Sequence, residues 1–138
     1  MKRCIVLDTN CLLPILGAHT PYNYLWDKFI DEEFVLCVST DILEEYEEIL
    51  KQKASPIAAD MFLKTILHSE NVVRKDPYFR LGLISADPDD NKFVDCAFAC
   101  QAEYIVTEDT HFKELSRIDF PQIKIKTLDE FCIDFPRE

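Results

Sequence analysis

Glycine is scarce in this sequence: Gly17 and Gly82 are the only two in 138 residues. That scarcity excludes several ways of handling nucleotides. A dinucleotide fingerprint clusters three glycines, and the phosphate-cradling loop sets a Lys after its second, whereas Leu83 follows Gly82. The nucleophile elbow G-x-S-x-G is missing too. Basic residues are few: 15 Lys and Arg stand against 26 Asp and Glu, a net charge of −11. A field of that sign repels polyphosphate, which argues against capture of nucleic acid by bulk electrostatics. No apolar run approaches the roughly eighteen residues that span a bilayer. The segment Met1 to Ala18 starts basic and turns apolar, but Asp8-Thr9-Asn10 breaks it before it reaches the length of an export signal's core. A cytoplasmic protein is therefore expected, with no membrane contact. The six cysteines contain no C-x-x-C, the nearest pair being Cys96 and Cys100, and are expected to be reduced, small buried thiols.

What is present is a chain of one-domain length, 48% apolar, whose apolar runs alternate in kind. Cys4-Ile5-Val6-Leu7 reads as a buried strand, and Tyr24, Leu25, Trp26 and Phe29 give Pro21 to Ile30 helical spacing. Phe34 to Val38 is a second strand. Ser39, Thr40 or Asp41 can cap the helix that follows to Lys53, and Pro56 opens another to His68. Val72-Val73 is a weak strand, Asp89 to Ala102 a helix and Tyr104 to Val106 a strand. Phe112 to Leu115 is a helical turn, Ile123 to Ile125 a last strand and Leu128 to Phe131 a closing turn. Strands separated by helices predict a parallel sheet covered on both faces, an α/β fold over residues 1–138.

In such sheets, sites form beyond the carboxyl ends of the strands. The first strand runs into Asp8, and Tyr104–Val106 runs into Thr107-Glu108-Asp109. Either acid alone reads equally as a turn residue. The helix at 41–53 has an apolar stripe of Ile42, Leu43, Tyr46, Ile49 and Leu50. Glu44 and Glu48 lie opposite it, in solvent, and Glu44 also suits a capping pair with Asp41. Glu45, with Glu47 second, lies on the stripe's border and can reach the sheet edge. On the helix at 89–102, Phe93, Val94, Ala97, Cys100 and Gln101 define the inward face; Asp90 falls on it and Asp95 opposite. Asp87, Asp89 and Asp90 all favour a helix start, but capping needs only one of them.

Asp8, Glu45, Asp90 and Asp109 can thus meet at one sheet edge. Four carboxylates together raise one another's pKa values unless a cation neutralises them. Hard oxygen donors select Mg²⁺ or Mn²⁺, one ion or two, over zinc. With no obvious Ser, Cys or His nucleophile, such a centre suits phosphodiester hydrolysis by an activated water. His19, His68 and His111 are too scattered for a metal cluster; His111 reads as a surface residue, or one that touches substrate.

The pieces V-L-D-T-N at 6–10, I-L-E-E-Y-E-E-I-L at 42–50, D-P-D-D-N-K-F-V-D-C-A at 87–97 and Y-I-V-T-E-D at 104–109, with I-K-T-L-D-E-F at 125–131, resemble the PIN-domain ribonucleases. Within them the chain is most similar to the toxin components of bacterial toxin–antitoxin systems (VapC-like). The resemblance implies a three-layer α/β/α sandwich and Mg²⁺- or Mn²⁺-dependent endoribonuclease activity. It maps the catalytic, metal-binding acids onto Asp8, Glu45, Asp90 and Asp109, with Asn10 and Thr107 in support. It also implies an RNA substrate, an antitoxin that reaches into the acidic site, and a homodimer.

Two other readings stand beside it. A dehalogenase-type phosphatase needs D-x-D after the first strand, and Asn10 occupies the second position; a phosphoreceiver domain wants an acid pair there. A non-catalytic adaptor on the same fold would have lost some of the four acids, and all are present. For RNA contacts the candidates are Arg74, Lys75 and Arg80 in one segment and Lys113, Arg117, Lys124 and Lys126 in another, each equally plain surface charge. The −11 balance, eased by ions in the site, predicts weak, ion-dependent RNA affinity along a local basic strip.

Overall fold

The first apolar run forms β1 (Arg3–Leu7), the central strand of a five-stranded sheet ordered β3-β2-β1-β4-β5. The computed structural model describes residues 3–78, 80–84, 88–118 and 121–137; Asp87, one of the three acids that favour a helix start, lies outside them. β2 (Phe34–Val38) and β4 (Tyr104–Val106) flank β1, with Phe34 opposite Arg3 and Tyr104 opposite Ile5. β3 (Val72–Arg74) and β5 (Ile125–Lys126) are the edges, and every pairing is parallel. Ile5, Val6 and Leu7 are all buried. Because neighbouring side chains on a strand point to opposite faces, both faces must be covered, which makes the fold a three-layer α/β/α sandwich.

Aromatic packing shows how. Phe34 of β2 meets Phe29 of α2 (Tyr24–Ile30), Phe131 of α6 (Leu128–Asp134) and Phe135, with ring centroids 5.9, 5.3 and 5.3 Å away. Each buried ring contributes about 1.5–3 kcal/mol by leaving water. α5 (Asn91–Cys100) lies along β1, β2 and β4, and α3 (Thr40–Lys53) packs on α4 (Pro56–His68). α4 has the bounds the sequence predicted, because Ser55 caps it by accepting the Ala58 N–H. Among the described residues, no helix is long and apolar enough to cross a membrane.

Several sequence expectations are corrected. Residues 9–16, to which the sequence pattern assigns no element, form a helix, α1 (Thr9–Leu16), despite Pro14 inside it. Ser39 is the cap of α3, accepting the Ile42 N–H, so Glu44 has no capping partner role with Asp41; it is exposed, as is Glu48, while Glu45 and Glu47 are half-buried. Asp95 is buried, not solvent-facing, because the chain at 80–84 folds over α5 and Leu81 donates its N–H to Asp95 Oδ1 at 3.1 Å. Gln101 is exposed, ending α5 in the left-handed region at φ 53°. Cys4 and Cys37 are joined in a disulfide rather than reduced: Cys4 sits opposite Val35, so Cys37, two residues on, projects from the same face with its Cα 6.2 Å away. Cys11, Cys96, Cys100 and Cys132 keep free thiols.

Candidate active site

Asp8 follows β1 directly and is buried; its N–H donates to the Val106 carbonyl at 3.0 Å, which ties the end of β1 to the end of β4. Thr107, the next residue after β4, makes the corresponding side-chain link. Its hydroxyl donates to Asp8 Oδ2 at 2.8 Å, and the same oxygen accepts the Asp109 N–H at 3.0 Å. One threonine therefore positions two acids. Asp109 in turn caps the 3₁₀ helix Thr110–Arg117, its Oδ1 accepting the His111 N–H at 2.9 Å.

The other two acids arrive on helices. Tyr46 is fully buried and its hydroxyl donates to the Leu7 carbonyl, pinning α3 to the end of β1. The preceding residue, Glu45, is thereby brought to the edge. Its Oε2 accepts from the Thr9 hydroxyl, and its Oε1 from the Lys92 ammonium at 2.8 Å. Asp90 ends a 3₁₀ turn, Pro88–Asp90, before α5 and is 8% exposed. The turn's approach is set by Asn91, whose side-chain amide binds both the N–H and the C=O of Ile84, at 2.8 and 2.9 Å. His111 Nδ1 stands 3.2 Å from Asp109 Oδ1 and 3.7 Å from Asp90 Oδ2. One donor atom from each of Asp90, Asp109 and His111 lies within 4.8 Å of the others.

Burial pushes the Asp8 carboxyl above its ordinary range. Hydrogen bonds from Thr107 and the Asn10 backbone pull it down, and the charges of Glu45 and Asp109 push it up again. Burial disfavours the Lys92 ammonium, but the hydrogen bond and charge of Glu45 outweigh it and hold Lys92 above its usual value. The centre is thus a set of converging acids with one lysine as internal counter-charge. Carboxylate oxygens and one imidazole are a donor set that fits a divalent cation of the Mg²⁺ or Mn²⁺ kind.

The PIN domain family model matches residues 4–111, most of the chain and three of the five strands in full. The chain belongs to the PIN-domain family. Solved structures share the PIN fold at low identity. VapBC2 from Rickettsia felis, bound to a DNA fragment from its promoter, is 17% identical with a TM-score of 0.61, over 90% of this chain and 98% of that one. DNA-bound VapBC from Salmonella typhimurium is 19% identical with a TM-score of 0.59, over 93% and 99%. The PIN domain endonuclease Utp24 is 16% identical with a TM-score of 0.53, over 90% and 84%. No curated protein sequence matches the chain.

In this PIN domain the four predicted acids lie in one linked neighbourhood, but not equivalently: Glu45 is engaged by Thr9 and Lys92, while Asp90 and Asp109 share His111. Asn10 is exposed, and its influence on Asp8 is through its backbone. The basic residues do not form one strip. Arg80 shares a cleft of about 740 Å³ with Glu45 and Lys92, whereas Arg74 and Lys75 line a separate groove of about 880 Å³ with Tyr78. Lys113, Arg117 and Lys124 are exposed. Lys126 is held by Asp134 at 2.7 Å and lies over the Tyr104 ring, a structural assignment. Sequence reasoning missed Thr9, Lys92 and the convergence of His111. Thr9 sits in the D-T-N piece and Lys92 in D-D-N-K-F, so adjacency to a predicted acid was the available signal.

Proposed function

We propose that this PIN domain is a Mg²⁺- or Mn²⁺-dependent endoribonuclease and the toxin of a toxin–antitoxin pair. The observation that carries the reading is the junction of β1 and β4, where Thr107 orients Asp8 and Asp109 beside Asp90 and Glu45. Asp8, Asp90 and Asp109, with Glu45, would hold the cation. Bound there, a divalent ion activates water and offsets charge on the phosphate. The chain's own residues do the rest. Thr107 orients Asp8 and favours its charged form against the effect of burial, Asn91 sets the approach to Asp90, and Lys92 with Thr9 aims Glu45.

The RNA reading is supported by the groove of Arg74, Lys75 and Tyr78, where a fully exposed aromatic ring stands beside two cations. Unpaired RNA binds such platforms by stacking and phosphate contact. The antitoxin reading is supported by the likeness to the two VapBC proteins. A second supporting feature is an apolar groove of about 580 Å³, lined by Leu13, Leu16, Trp26, Met61 and Phe62, with Met61 64% exposed.

The test is cleavage of transfer, ribosomal and messenger RNAs with Mg²⁺ or Mn²⁺, by wild type and Asp8→Asn. Cleavage by wild type alone is expected. A wild type inert on every RNA that still binds a protein partner tightly would make this an adaptor, and turnover of phosphomonoesters instead would make it a phosphatase.

A further inference from the structure

His111 lies two residues beyond Asp109, outside the four-acid scheme, yet the fold delivers it to the same spot. The backbone fixes it there: the His111 N–H donates to Asp109 Oδ1 at 2.9 Å, so one turn holds both the carboxylate and the imidazole. Nδ1 is 3.2 Å from Asp109 Oδ1 and 3.7 Å from Asp90 Oδ2, and the three donor atoms lie within 4.8 Å of one another. Two oxygens and a nitrogen at that spacing can share one ion. The side chain is 44% exposed, so its ring is reachable from solvent. Asp90 and Asp109 come from different elements, so the triad exists only in the folded chain.

We propose that His111 is a nitrogen donor to the cation held by Asp90 and Asp109, and that it makes this centre prefer Mn²⁺ to Mg²⁺. The inference rests on the metal dependence proposed above and adds a ligand to it. Its chemical basis is that Mn²⁺, although it shares carboxylate donors with Mg²⁺, is a transition ion that accepts an imidazole nitrogen beside them, whereas Mg²⁺ keeps oxygen donors and much of its water. An all-carboxylate site lacks that source of discrimination. The imidazole supplies it without altering the acids.

The test uses the full chain, stripped of metal with a chelator, as wild type, His111→Ala and His111→Gln. Calorimetric titration measures Mn²⁺ and Mg²⁺ affinity, and pulsed electron paramagnetic resonance of the Mn²⁺ complex detects coupling to a ligand nitrogen. Wild type should bind Mn²⁺ about tenfold or more tightly than Mg²⁺ and show the nitrogen coupling. Both variants should lose the coupling and about tenfold in Mn²⁺ affinity while keeping that for Mg²⁺. Mn²⁺ binding without nitrogen coupling, equal in all three proteins, overturns the role of His111 and leaves the carboxylate site standing. Failure of wild type to bind either ion overturns both. Circular dichroism checks the fold, and the Gln variant separates loss of nitrogen from loss of the side chain.

Discussion

Thr107 and Asp8 stand 99 residues apart in the chain and share a buried hydrogen bond of 2.8 Å, which joins the ends of two neighbouring strands and steers a carboxylate. Thr107→Val keeps the shape and removes the donor. Asp8 then loses its largest stabilising partner in the charged form, and its pKa rises further. Cation affinity and RNA cleavage should both fall about 10–100-fold with the fold retained, as for other residues that orient ligands. Calorimetry and cleavage rates measured side by side check this.

Asp8 itself should be a burden on the metal-free fold. Its raised pKa means that the native state holds a proton more tightly than the unfolded chain does. Stability of the metal-free protein therefore rises as pH falls through the native pKa towards the unfolded value. Asp8→Asn removes the charge at neutral pH, so it should raise Tm without metal while cutting cleavage by more than about 100-fold. Thermal melts of both proteins from neutral pH downward give the slope, and a drop in Tm for the variant would sink the argument.

Asp134 has the opposite sign. Burial pushes it up, but hydrogen bonds from Lys126 and Tyr104 outweigh that and hold it below the usual carboxylate range. Its contribution is present above the unfolded pKa of about 3.9 and fades as pH falls through the lower native value. Asp134→Asn should lose about 1–2 kcal/mol at neutral pH, and less in acid, in urea unfolding.

Lys92 balances Glu45 at 2.8 Å with both side chains mostly shielded from water. Lys92→Gln leaves Glu45 among acids without its cation. The metal-free protein should lose on the order of 1 kcal/mol. Added Mn²⁺ should restore more stability to the variant than to wild type, because the ion supplies the missing positive charge. Tm shifts with and without Mn²⁺ decide it.

Asn91 closes both backbone groups of Ile84, a contact no single-strand pattern could announce. Asn91→Ala leaves those buried polar groups without their partner and should cost about 1–3 kcal/mol. Hydrogen exchange at the Ile84 amide should speed up, and cleavage should fall because the approach to Asp90 loosens.

What was legible in the sequence was whatever depends on neighbours within a helical turn or along one strand. The apolar run ending in Asp8 foretold β1, and the stripe through Tyr46 singled out Glu45 among five acids between Asp41 and Glu48. What could not be read needed two distant segments at once. Asp95 is buried by a loop that folds over α5, so its helical-wheel position misled. The Cys4–Cys37 bond depends on strand register, and the Lys92–Glu45 pair on how α5 meets α3. α1 was hidden for a local reason: an apolar run containing Pro14 carries no plain helical signal.

The strand order has a consequence for a chain still emerging from the ribosome. β1, at the centre of the sheet, is made first, whereas β4, which pairs with it, comes about a hundred residues later. Until β4 slots into place, Asp8 has no Thr107 to aim it and no Asp109 beside it. A nascent chain that ends before β4 carries Asp8, Glu45 and Asp90 but neither Thr107 nor Asp109, so the carboxylate cluster is assembled by long-range strand pairing and not by any local segment.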